Sequence, residues 1–325
     1  MENGVQDMIT IRANDDKRNY TWVDVRDVNR EDLSVLTEEY SISSDLLADI
    51  LDQDEQSRIE RGDDYTSIIV RIPLDDEDQD SPLIQNAIPL GIILYKDKVI
   101  TICQGDSVVL EDFSKRRFRQ YPVATKEGFV LSILGRSALV FIRMLKYINR
   151  QKDIVEERLH DVVTNDEIIR LLDIQKSLVY LTTSLTTNES LLEKLSKTPI
   201  FKLNSEEEVD FLNDVITDNK QAIAMANIYS SILTGTMEAF SSILGNNMNI
   251  IMKRLTIISL ALMFPTFITG FFGMNVRLPH QDKFFAWVFL LIICIFVSIC
   301  GSLIVNNWDV SKHQLKKRKK KKDKN

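Results

Sequence analysis

Reading back from Gly273 in steps of three and four residues gives Gly270, Thr266, Met263, Ser259, Thr256, Met252, Asn249, Gly245, Ser242, Glu238, Gly235 and Ser231. Alternating steps of three and four keep one side of a helix in register. That side carries small, hydroxyl, amide and thioether groups where a coiled-coil seam would want leucine, isoleucine or valine. Two readings compete. Small residues let helices approach closely in a membrane, which covers the membrane part and leaves Glu238 and Asn249 unexplained. A water-lined axial pathway accounts for both and is preferred. Elsewhere the chemistry is sparse. His160, His280 and His313 are scattered, as are Cys103, Cys294 and Cys300, and no pair has metal-finger or redox spacing. No nucleophile elbow, phosphate-binding loop or zinc motif is present, so no catalytic residue is expected and an enzyme is the least favoured class.

A pathway needs elements that cross a bilayer, and the chain of 325 residues has two candidates. Residues 255–276 and 284–308 are free of charge, and a span takes about 20 apolar residues. The formal net charge of −7 is an average of opposites: nine Lys or Arg against Asp309 and Asp323 fill residues 306–325. A Lys-rich tail directly after a span marks the cytoplasmic side and suits anionic lipid head groups better than nucleic acid. About seven residues separate the spans, too few for a domain, so both termini are expected on the cytoplasmic side. Met1 to Asp16 is polar, without a signal-peptide core, and insertion is expected to rely on the C-terminal hairpin.

Two regimes precede the spans. Up to Pro122, β-rich runs at Tyr20 to Val25, Tyr65 to Ile72, Ala87 to Tyr95 and Val99 to Cys103 alternate with helical spacing at Asn29 to Tyr40 and Ser43 to Leu51. From Glu127 onward the spacing is helical almost throughout. Pro199 separates an antiparallel pair, Glu127 to Asn165 and Asp166 to Lys197, from one helix opened near Ser205 by a capping-box pattern with Glu208. Without a breaker before Pro265, that helix could run about 67 residues, or roughly 100 Å. A stalk of that length cannot bury itself in one chain, which argues for several subunits. Pro265 would free a carbonyl near Ala261, tolerable where neighbours or water satisfy it. The expected organisation is an α/β domain (1–126), a helix pair (127–204), the cytoplasmic part of the stalk (205–254), a first span (255–275), an outer loop (276–283), a second span (284–305) and a basic tail (306–325). The fold class is α+β followed by long helices.

The first span ends in Gly273-Met274-Asn275, preceded by Pro265-Thr266-Phe267-Ile268 and Gly270. With the stalk, second span and tail, this resembles the CorA family of divalent-cation channels, whose signature Gly-Met-Asn closes the first of two C-terminal spans. Asp52 to Pro73, with Arg58, Arg61, Asp63, Asp64 and Tyr65, looks like the corresponding family segment. The resemblance implies a homopentameric funnel in the cell membrane, with Gly273, Met274 and Asn275 as selectivity filter and Asn275 as the outer ring. It implies a pore lined by Met252, Leu255, Ser259, Met263, Thr266 and Gly270, with Asn249 at its inner part. Glu238 stands where the family has an aspartate, and Leu255 replaces the seam's Thr256. It further implies regulation by cytoplasmic cation, with Asp214 on the stalk and Asp75 or Asp76 as a neighbouring subunit's partner. Mg²⁺ sheds water reluctantly, so neutral amide oxygens suit a hydrated ion that must also leave. The implied function is passive Mg²⁺ uptake, with Co²⁺ and Ni²⁺ as further candidates. The outer loop, Val276 to Asp282, has Arg277 where the family often supplies an acid. That keeps a Zn²⁺ transporter of the same superfamily as an alternative, although that branch has Gly-Ile-Asn. A membrane-anchored interaction protein would predict an arbitrary seam.

Overall fold

The structure, a computed structural model, describes residues 9–12, 19–62, 64–74, 86–115, 122–161, 165–203 and 205–274, with 285, 288, 291–296 and 299 beyond them. The chain divides into two compact units, Met1–Met237 and Glu238–Asn325.

The first unit is built on strands β1 (Ile9–Arg12), β2 (Thr21–Arg26), β3 (Arg58–Arg61), β4 (Tyr65–Pro73), β5 (Ala87–Tyr95) and β6 (Lys98–Cys103). They form one sheet in the order β1-β2-β6-β5-β4-β3. β2 and β6 run parallel, and every other pairing is antiparallel. Successive strand residues face opposite ways, and here both faces are buried. Ile68, Val70 and Ile72 of β4 join Leu90, Ile92 and Val99 in one core, while Ile69, Ile93, Ile100 and Ile102 enter another. The second core is closed by Leu36 and Tyr40 of α1 (Arg30–Tyr40) and by Leu46, Leu47 and Ile50 of α2 (Ser44–Leu51). The first is closed by α3 (Val108–Ser114), α4 (Lys126–Asp161), α5 (Asn165–Lys197) and the start of α6 (Glu206–Phe272). Phe129 of α4 is its hub, with ring centroids 5.6 Å from Tyr20, 5.3 Å from Trp22 and 5.5 Å from Phe113.

Local chemistry sets the helix starts. Asn29 Oδ1 accepts the Asp32 N–H at 2.9 Å while Asp32 Oδ2 accepts the Asn29 N–H at 3.0 Å, a full capping box. Ser43 caps α2 through the Leu46 N–H. At α6 the Ser205 hydroxyl accepts the Glu208 N–H at 3.2 Å. Glu208 Oε1 accepts from Thr125, tying the start of α6 to that of α4.

Several expectations shift. β1, β3 and α3 were not foreseen: β1 and β3 are four residues each, too short for period-two spacing to stand out, and α3 is a seven-residue helix. The β5–β6 turn is Lys96-Asp97, with Lys98 already in the strand; Lys96 takes a φ of 46° to make it. α5 begins at Asn165, one residue before the expected Asp166. Pro265 lies inside α6 without ending it, and Ala261 is not without a partner.

In the second unit α6 continues to Phe272, and residues 288, 291–296 and 299 are helical. The rest of the expected second span lies outside the described residues.

Candidate functional site

Among the described residues two helices are long and apolar enough to cross a membrane, and burial separates them. The apolar stretch of α4 is mostly buried, whereas no residue of the apolar stretch of α6 is buried in the single chain. Residues 241–252 of α6 are exposed on every side. An apolar helix bare around its whole girth needs lipid or further chains to cover it.

Glu238, Asn249, Met252, Leu255, Ser259, Met263, Thr266 and Gly270 all lie on this one helix, and all are exposed. At 3.6 residues per turn they fall within an arc of about 120°. Leu255 and Thr256 flank its midline. The Thr256 hydroxyl donates to the Met252 carbonyl at 2.8 Å, and Thr266 donates likewise to Leu262 at 2.7 Å. A threonine that gives its proton to its own backbone keeps only oxygen lone pairs to offer a cation or the water around it. Among the described residues nothing lies within 4 Å of where a Cβ would stand at Gly235, Gly245 or Gly270. Packing among the described residues therefore does not require those glycines.

α6 ends at Phe272, and Gly273 closes it by donating its N–H to the Thr269 carbonyl at 2.9 Å. Met274 follows, 56% exposed. Asn275, the outer ring residue, lies outside the described residues, as do Asp75 and Asp76.

Asp214 is exposed on α6, and Asp218 stands one turn further on. Burial pushes the Asp218 carboxyl above the usual carboxylate range, and the Asp214 charge adds to the effect. The pair is joined by i,i+4 spacing, a signal present in the sequence but not used there. Among the described residues no three His, Cys, Asp or Glu side chains gather to hold a metal ion.

The family-like segment around β3 and β4 turns out to anchor α5. Asn188 Oδ1 accepts from the Arg71 N–H at 3.0 Å and from Ser57 Oγ at 2.6 Å, and its Nδ2 donates to the Arg71 carbonyl at 2.8 Å. The Arg71 guanidinium donates to Ser184 Oγ at 2.9 Å and to the carbonyls of Gln53, Glu55 and Ala87. Burial lowers its pKa from the usual arginine value, against the pull of Asp54 and Asp52. Arg58 reaches Asp49 at 2.6 Å, Glu60 at 2.9 Å and also Glu55.

Comparison with known proteins decides the family. The sequence model of the CorA-like Mg²⁺ transporter proteins matches residues 17–305. The chain belongs to the CorA family. The cobalt/magnesium transport protein CorA of Methanocaldococcus jannaschii is 27% identical over 285 residues, covering 86% of this chain and 87% of that protein. The protein of the same name from Thermotoga maritima is 22% identical over 289 residues, covering 88% and 81%. The complete structure of the CorA magnesium transporter from Methanocaldococcus jannaschii matches with a TM-score of 0.74 at 25% identity, over 90% of this chain and 92% of that one. The α/β domain followed by long helices is thus the architecture of a CorA transporter, a family of membrane transporters and not of enzymes.

Proposed function

We propose that this chain is one subunit of a homopentameric, passive Mg²⁺ channel of the cell membrane, gated by cytoplasmic divalent cation. The observation that carries the reading is the unburied second half of α6, with an arc made of oxygen, sulfur and small side chains and Leu255, leading to Gly273 and Met274. Five copies around an axis would turn the arc inward and cover the flanks with neighbours and the second span.

In this reading residues 255–275 and 284–305 cross the membrane, both termini are cytoplasmic, and the basic tail meets anionic head groups. Five Asn275 amides meet the hydrated ion first. Ser259, Thr266 and Asn249 supply neutral oxygens along the path, and Glu238 gives a carboxylate ring at its inner part. Neutral oxygens suit an ion that keeps much of its water.

Gating is assigned to Asp214, with Asp75 or Asp76 of a neighbouring subunit. Carboxylate oxygens are the donors Mg²⁺ prefers, and Asp218 is placed to join them. In this reading the regulatory ion sits between chains, held by Asp214 of one and the acids of its neighbour. It would turn carboxylate repulsion into a bridge and stabilise the closed funnel by mass action.

The selectivity test is fluorescent-dye flux into proteoliposomes with Mg²⁺, Co²⁺, Ni²⁺ and Zn²⁺ compared at equal concentration. Mg²⁺ uptake is expected, with Co²⁺ and Ni²⁺ competing. Zn²⁺ uptake without Mg²⁺ uptake would assign the chain to zinc transport.

A further inference from the structure

Along one stripe α6 is packed only as far as Leu233: Leu212, Val215, Asn219, Ala222, Ala226 and Leu233 are buried. None of the described residues of α6 beyond Leu233 is buried. Three residues on, on the same side, stands Thr236. The Ser and Thr hydroxyls along this helix ordinarily donate to the carbonyl four residues back, as Thr217, Ser231, Thr234, Thr256 and Thr266 do. Thr236 instead donates across to Glu156 Oε1 of α4 at 2.7 Å.

Glu156 is itself held in place. Lys152, one turn earlier on α4, reaches its other carboxylate oxygen at 3.2 Å and Asp153 at 2.9 Å. Lys152 is only 6% exposed, a depth lysine reaches only when paired. Burial alone would lower its pKa, but the hydrogen bonds to Asp153 and Glu156 outweigh that and hold the ammonium above its usual value. Two donors from two helices thus take the two oxygens of one carboxylate.

We propose that Lys152, Glu156 and Thr236 form a latch that fastens the last packed turn of α6 to α4, two residues before Glu238, and so sets how readily that turn moves when the channel opens. The proposal rests on the channel reading. No described residue of α6 beyond the latch is buried within its own chain, so this bond stands at the end of the packed stripe that holds α6 to its own subunit. A hydrogen bond to a charged acceptor is among the stronger kinds, and it is made or broken as a unit, which suits an element with two positions.

Thr236→Val removes the donor at nearly constant shape, Thr236→Ser keeps it, and Glu156→Ala removes the acceptor while Asp153 still pairs Lys152. Two readouts are taken on the full-length protein. One is the cytoplasmic-side Mg²⁺ concentration that half-closes flux in proteoliposomes; the other is amide hydrogen exchange over residues 233–240. Thr236→Val and Glu156→Ala should each raise the half-closing concentration by roughly fivefold or more, as the loss of a charge-assisted bond implies. Each should also speed exchange, and the double variant should go no further than either single one. Thr236→Ser should stay near wild type in both. An unchanged or lowered half-closing concentration in Thr236→Val overturns the latch, as does additive behaviour of the double variant. If the wild type conducts no divalent cation, the channel reading falls. Exchange then decides the latch alone, and equal rates in Thr236→Val and Thr236→Ser overturn it.

Discussion

Asp214 and Asp218 sit one turn apart on α6, and their chemistry makes a test that no pore residue is needed for. Asp218 is held above the usual carboxylate range by burial and by the Asp214 charge. A carboxyl raised in the folded state binds its proton more readily there than in the unfolded chain. Stability is therefore gained as pH falls through that raised value and lost as pH rises through it. In Mg²⁺-free buffer at neutral pH no cation offsets the repulsion that Asp214 exerts on Asp218. Limited proteolysis of the assembled protein should show faster stalk cleavage without Mg²⁺ than with millimolar Mg²⁺. The difference should shrink as pH is lowered towards the Asp218 value, because protons then do the ion's work. Asp214→Lys places a fixed positive charge there and should protect the stalk even without Mg²⁺. Equal cleavage of the wild type with and without Mg²⁺ at neutral pH would withdraw the regulatory assignment of Asp214, Asp75 and Asp76 and leave the filter untouched. Asp214 was readable by resemblance; Asp218 needed the structure, since its burial depends on what packs beside α6.

Among the elements, the first turn of α4 shows how closely backbone chemistry fixes the core. A Cβ on Gly128 would stand 1.8 Å from the Pro122 carbonyl oxygen and 2.8 Å from Thr125 Oγ1, whose hydroxyl caps the turn by accepting the Gly128 N–H at 2.9 Å. The obstacle is backbone, so α4 must shift, and the Phe129 hub shifts with it. Gly128→Ala is expected to destabilise the protein by about 2–4 kcal/mol, the scale of overpacking plus a disturbed aromatic core. A thermal melt followed by Trp22 fluorescence checks this, and an unchanged midpoint would show that the loop at Pro122 yields freely. Long periodic helices and the central strands were legible in the sequence because their apolar spacing repeats many times. The anchoring of α5 was not: Arg71 and Asn188 are 117 positions apart, and no local pattern links a buried arginine to a distant amide. The same holds for Glu156 and Thr236, 80 positions apart. Ser205 and Glu208 read as a capping pair, and the Glu208 carboxylate takes the Thr125 hydroxyl, a partner that only the tertiary arrangement supplies.

For the whole molecule, the deciding feature is that α6 is continuous for 67 residues, with a second half that is largely apolar and unburied in the single chain. The sequence made this visible through absent charge and absent breakers, and the seam was legible through its steps of three and four. Its one-residue ambiguity between Leu255 and Thr256 persists in the helix, because both lie within the arc on either side of its midline, and only the neighbouring copies could decide between them. The central claim is that five such helices enclose a path for hydrated Mg²⁺ whose outer ring is Asn275. Mg²⁺ flux into proteoliposomes, measured side by side for wild type and for Asn275→Ala verified as an assembled pentamer, tests it most directly. The account predicts uptake by the wild type and its abolition in the variant, with little loss of stability, since a side chain at the exposed end of the pore contributes little to folding. Near-normal flux through correctly assembled Asn275→Ala would contradict it.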